Sequence, residues 1–180
     1  MANPTAEQSK RALAEALLSL LETERFSKVT ISEIAGRAGL ARLTLYRHFE
    51  SKEAILEWYL QGLFQEYLDE HETSPAPTLE EALALCFVYW ERNASVLDAL
   101  SRNGLEHLLA GPFDSYVATM LERYEIRQLS AVQIRFLAGG LSFAMLQWIA
   151  NIPAEQDALS VARQIIALID LSFLSRKDKG

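Results

Sequence analysis

One cysteine, Cys86, stands among the 180 residues, which excludes an intramolecular disulfide and any multi-cysteine metal site. Its setting in "LALCFVYW" marks it as filling space in a helix core. The histidines are as sparse: His48, His71 and His107 are scattered, and no HExxH pair, phosphate-cradling glycine loop or nucleophile elbow occurs. Glu80 and Glu81 are a carboxylate pair only on paper, because they fall in a predicted helix's first turn, where the dipole favours negative charge. No catalysis, cofactor or metal is therefore expected. Nor is there a run of the ~18 uninterrupted apolar residues that crossing a bilayer takes. The start, "MANPTAEQSK", lacks the basic-then-apolar order of a secretory signal. A cytoplasmic protein without a membrane partner is the expectation.

Positive charge is also short overall, with 17 Lys and Arg against 24 Asp and Glu and a net charge of -7. Its distribution reverses the impression that nucleic acid is excluded. Residues 1–58 carry eight basic and eight acidic groups, so the whole deficit lies in the remainder. Between Arg25 and Lys52 six basic residues meet only two acidic ones, Glu33 and Glu50. A positive patch on an acidic body can face phosphates with one side only.

What is abundant is helix signal. Half of the residues are hydrophobic, enough for one large helical domain or two small ones sharing a core. No segment alternates as a strand would. Three Ser/Thr-x-x-Glu/Gln boxes punctuate the chain at Thr30, Thr78 and Ser130, and a fourth reads from Thr5 to Gln8. The spacing predicts a first helix from about Thr5 to Glu24 with the stripe Leu13, Ala16, Leu17, Leu20 and Leu21. A second opens at Thr30 and stops at Gly39, a residue free to take positive φ. A short third runs through "ARLTLYRHF", and Ser51 caps a long fourth. "TSPAPT" is the clearest breaker. Beyond it, helices are predicted from Thr78 to about Asn93, from Phe113 to Glu125, from Ser130 to Ala150 and from Pro153 to about Ser175. Asn103-Gly104 and Gly111-Pro112 read as turns between shorter pieces.

Two helices joined by a glycine-containing turn, with a third able to pack across both, form a helix-turn-helix unit. On a 3.6-residue period Leu45 and Phe49 share the packed side of its second helix. Arg42, Leu43, Tyr46 and Arg47 share the opposite side, flanked by Thr44 and His48. The outward set offers forked donors for guanine edges or phosphates, a phenol and an imidazole for phosphate oxygens, and one apolar group suited to a thymine methyl.

"TISEIAGRAGLARLTLYRHFESKEAIL" resembles the DNA-binding segment of the TetR family of bacterial transcription regulators. The resemblance implies an all-α fold: an N-terminal three-helix helix-turn-helix domain, residues 1–52, joined by a long helix to a helical effector-binding and dimerisation domain, residues 53–180. It implies that Thr30, Thr44, Tyr46, His48 and Lys52 hold the phosphate backbone while Arg42, Leu43 and Arg47 reach base edges. Two positions depart from the family pattern. Ala41 replaces the usual Ser and leaves the recognition helix without a side-chain N-cap; Leu43 stands where a small residue is frequent. The operator therefore cannot be borrowed from better-matching relatives. A helical ligand-sensing or protein-interaction module without DNA binding is the alternative.

The same resemblance implies a homodimer on a palindromic double-stranded operator, and repression released by a small-molecule effector. Candidate pocket walls are Phe87, Trp90, Tyr116, Met120 and Phe143, with Arg102, Asn103 and His107 as candidate polar contacts. "IRFLAGGLSFAMLQWIA" resembles a TetR subgroup that includes regulators similar to the activator of dihydroxyacetone kinase genes. Gly139 and Gly140 each cost about 1 kcal/mol inside a helix, so a close backbone approach is expected there. With Phe136, Phe143, Trp148, Ile165 and Ile169 they form the expected interface of the last two helices.

Overall fold

Capping chemistry divides the chain as the boxes suggest. In the computed structural model, which describes residues 4–72, 76–126, 129–151 and 157–169, the helices are α1 (Pro4–Leu21), α2 (Ile31–Arg37), α3 (Arg42–His48), α4 (Lys52–Glu70), α5 (Leu79–Arg92), α6 (Ala94–Asn103), α7 (Ala110–Arg123), α8 (Ala131–Ala150) and α9 (Ala158–Leu168). A 3-10 turn, Glu106–Leu109, joins α6 to α7. No strand occurs among the described residues.

Thr30, Thr78 and Ser130 each accept a hydrogen bond from the backbone of the third helical residue, whose side chain reaches back to the cap. Ser51 caps α4 through the Ala54 N–H at 3.0 Å. Gly39 takes a φ of 68° and closes α2, and Gly104 does the same for α6.

Some boundaries differ from the sequence reading. α1 opens at Pro4, so Thr5 lies inside its first turn rather than before it, and the helix ends at Leu21, short of Glu24. Gly111-Pro112 is no turn: α7 begins at Ala110, and Pro112 sits in its first turn, where a missing N–H breaks no bond. Pro153 and the chain beyond Ile169 lie outside the described residues; α9 is capped by Asp157, whose carboxylate accepts from the Ser160 N–H at 2.7 Å.

The front of the molecule is held by α1, which packs on α2, α3 and α4. Its stripe of Leu13, Leu17, Leu20 and Leu21 is buried against Ile34, Leu45 and Ile55. Burying each such side chain contributes about 1.5–3 kcal/mol, which lets the seven-residue α2 and α3 persist though neither would be stable alone. α4, roughly 28 Å long at 1.5 Å per residue, runs from this unit into the body. There Phe64 meets Phe113 at 4.8 Å and Trp90 at 5.0 Å between ring centroids. The Tyr67 hydroxyl donates to the Ala82 carbonyl at 2.9 Å, and burial raises the pKa of this phenol. Cys86 is fully enclosed, and desolvation pushes its thiol up to about 12, a packed group without thiolate character.

α8 packs on α5, α6 and α7. By length and composition it is apolar enough to cross a membrane, since it carries apolar groups on both its packed and its outward face.

Candidate nucleic-acid interface

α3 is short, and its one buried side chain is Leu45, with the capping Phe49 buried just beyond it. Its other side chains are exposed or half-buried. Leu43 is 60% and Tyr46 62% exposed, and Arg42 and Arg47 are exposed beside them. Among the described residues neither arginine meets a carboxylate. Thr44 and His48 are half-buried at the flanks. Ala41 makes no side-chain cap bond, so the first N–H groups of α3 are left to solvent or to an anion.

Two residues assigned to phosphate are engaged within the chain. The Thr30 hydroxyl donates to the Glu33 carboxylate at 2.6 Å and accepts from the Glu33 N–H at 3.3 Å. These bonds from Thr30 hold the Glu33 carboxyl below its ordinary pKa. Lys52 turns inward: its ammonium donates to the Phe26 carbonyl at 2.6 Å and the Val29 carbonyl at 2.7 Å, and lies 4.4 Å from the Phe26 ring. One of its three N–H groups remains. The carbonyls of a loop without its own ladder attract a cation as a phosphate would, which spacing alone did not reveal.

The residues expected in one effector pocket do not come together. Phe87 and Trp90 are packed into the core, Phe87 against Trp148 at 5.8 Å. Tyr116 and Met120 do line a cavity, of about 50 Å3, between α5, α7, α8 and α9, with Leu83, Val117, Leu137 and Ile166 among its apolar walls. His107 is exposed, and Phe143 faces outward at 67% exposure. Arg102 and Asn103 point to the front unit instead: Arg102 donates to the Glu22 carbonyl at 3.3 Å and pairs with Asp98 at 2.8 Å, and Asn103 accepts from the Phe26 N–H at 2.7 Å.

The expected interface residues also divide. Phe136 and Phe143 are exposed on α8, in line with Gly140 and with Val132, which the sequence reading missed although it lies four residues before Phe136. Trp148 is turned inward, where its indole N–H donates to the Glu91 carboxylate at 2.6 Å. Ile165 and Ile169 are half-buried against their own core. A Cβ built at Gly139 or Gly140 would meet nothing within 4 Å, so the close approach expected at this pair is not made by this chain.

Residues 13–58 match the family model for bacterial regulatory proteins of the tetR family. Over 184 aligned residues the chain is 25% identical to the nucleoid occlusion factor SlmA of Aliivibrio fischeri strain MJ11, covering 96% of this chain and 86% of that protein. Among solved structures, the dihydroxyacetone kinase operon activator DhaS superposes with a TM-score of 0.59 at 18% identity, over 92% of this chain and 96% of that one. The repressor AlkX from Dietzia sp. strain DQ12-45-1b, implicated in n-alkane biodegradation, gives 0.58 at 23% identity, over 92% and 97%.

Proposed function

We propose that this chain, whose residues 13–58 match the tetR family of bacterial regulatory proteins, is a DNA-binding transcriptional regulator of that family that acts in the cytoplasm as a homodimeric repressor, its hold on a palindromic operator released by a small apolar effector. Residues 1–52 are the reading unit and residues 53–180 the sensing and dimerising one. The observation that carries the reading is the outward face of α3, where Arg42, Leu43, Tyr46 and Arg47 stand together and neither cation meets a carboxylate among the described residues. Arg42 and Arg47 reach base edges or phosphates, Leu43 a thymine methyl, and Tyr46, Thr44 and His48 phosphate oxygens. Thr30 and Lys52 act behind them, by holding the entry to α2 in place.

The effector site of this reading is the apolar cavity beside Tyr116 and Met120. At about 50 Å3 it accepts a ligand only by moving α9 or α7 outward, and that displacement is what would pass to the front unit. The lining selects an uncharged, apolar molecule. The exposed stripe of α8 meets the same stripe of a second copy, with Gly139 and Gly140 admitting the partner backbone.

The test is selection of bound duplexes from a random pool at near-physiological salt, with an Arg42→Ala, Tyr46→Ala protein in parallel. A palindrome recovered by the wild type and lost by the double variant is expected. No enrichment from a folded dimer would reject the reading. The chain-long similarity to a nucleoid occlusion factor supports a second reading, nucleoid occlusion, under which bound chromosomal sites need not fall at promoters. Mapping those sites separates the two.

A further inference from the structure

We infer that Asn103, on α6 of the body, is a positioning residue for DNA binding: it ties the loop between α1 and α2 to the body and so fixes the half-site spacing that the dimer accepts. The inference rests on the operator-binding dimer proposed above. Within that loop the backbone satisfies part of its own needs, with Thr23 and Glu24 N–H groups donating to Leu20 and Lys28 and Val29 N–H groups donating to Arg25. Phe26 has no such backbone acceptor among the described residues. Its N–H is answered by the Asn103 side-chain oxygen at 2.7 Å, from 77 positions away. The Phe26 and Val29 carbonyls are answered by Lys52 of α4, and the Glu22 carbonyl by Arg102 of α6. The loop that leads into Thr30 and α2 is thus gripped from two sides, by the base of α4 and by the end of α6.

Asn103 is itself fixed. Its amide N–H donates to the Ala99 carbonyl at 2.8 Å, which turns the oxygen toward Phe26. The next residue, Gly104, closes α6 with its N–H on Ser101, while the Leu105 N–H returns to Leu100 at 3.0 Å. α6 packs in turn on α8. Without the α6 contact the front unit would pivot about the start of α4; with it, the unit has a second point of support away from that pivot. In a two-fold dimer, the tilt of each unit on its body sets the separation of the two recognition helices, and with it the distance between half-sites.

The experiment measures affinity for the selected palindrome and for versions with the half-sites moved one base pair closer or farther, using wild type, Asn103→Ala and Asn103→Asp. The wild type should lose at least about tenfold for either change, whereas Asn103→Ala should bind all three within about threefold. Asn103→Asp keeps an acceptor for the Phe26 N–H but loses the donor to Ala99. It should retain the wild-type spacing profile while melting lower than wild type, an outcome that a merely structural role would not produce. Amide exchange in the wild-type protein should show Phe26 protected. An unchanged spacing profile in Asn103→Ala, or a fast-exchanging Phe26 amide in the wild type, overturns the inference. A wild type that binds no palindrome sinks the operator reading and this inference together, and is told apart because the wild type itself fails.

Discussion

α3 and α8 both turn large side chains to solvent, and they differ in what stands beside those groups. On α3, Leu43 and Tyr46 are exposed next to Arg42 and Arg47, with no carboxylate on the helix. On α8, Val132, Phe136 and Phe143 are 79%, 78% and 67% exposed, and the one cation of the helix, Arg135, is already paired with Asp114 at 2.6 Å. Equal exposure therefore marks two different partners. A face whose cations meet no carboxylate among the described residues, set around a single aliphatic group, suits a polyanion that also carries methyl groups, which is duplex DNA. An uncharged stripe over glycines suits a copy of itself, since a contiguous apolar patch is rarely left to water on a monomer.

Breaking the apolar face has the larger consequence, because it removes one reader of two. Phe136→Glu with Phe143→Glu places four carboxylates in a symmetric interface. Light scattering should show monomers with unchanged helix content, and operator affinity should fall by about 100-fold or more as bivalent binding is lost. A dimer that survives the double substitution would remove α8 as the interface. Breaking the charged face should leave the dimer whole. Arg42→Ala with Arg47→Ala is expected to weaken operator binding by roughly 10–100-fold and to lower the salt dependence by about one unit for each phosphate no longer neutralised. An unaltered salt slope with lost sequence preference would instead place both arginines wholly on base edges.

Leu43 sharpens the contrast from within α3, since it is the one apolar group among these cations. If it meets a thymine methyl, Leu43→Ala should relax the preference at one base pair per half-site by about 1 kcal/mol, roughly fivefold, and leave the salt slope alone. An unchanged operator preference would return Leu43 to being an exposed leucine without a role.

Much of this arrangement is legible in the residues. Three of four capping boxes, the turn at Gly39 and the two sides of α3 follow from short-range rules, since the hydrogen bonds that make them join residues three or four apart. Where reading failed, the deciding partner was distant in sequence. Lys52 has the position of a phosphate ligand, yet carbonyls 23 and 26 residues earlier hold it. Asn103 reads as a polar group in an aromatic body, and its partner is 77 residues away. Trp148 carries the same apolar signal as Phe143; Glu91 on another helix draws it inward. Gly111-Pro112 failed for a local reason: the same dipeptide serves a turn or a helix's first turn, and only the buried Pro112 ring and Phe113 decide between them.

The smallest expected effect concerns two helix starts in the same unit. α2 begins at Thr30 with a complete capping box, and α3 begins at Ala41 with none. Ala41→Ser should supply the missing acceptor and add about 1 kcal/mol, which for a chain of this size raises Tm by roughly 2–4 °C. The gain should not vary with pH, because a hydroxyl does not titrate. The Thr30 box behaves differently. Its bonds to Glu33 lower that carboxyl below its ordinary 4.5, so their contribution is present above that pH and is lost as pH falls through the lowered value. Thermal melts across that range should therefore show the Ala41→Ser increment constant, and a Glu33→Gln variant with a shallower acid dependence than the wild type. A pH-dependent Ala41→Ser gain would mean that the serine pairs with a titrating group instead of the α3 backbone. A cap that stabilises α3 without changing its outward face should leave operator preference as it was, which makes the missing cap a matter of local stability and not of recognition.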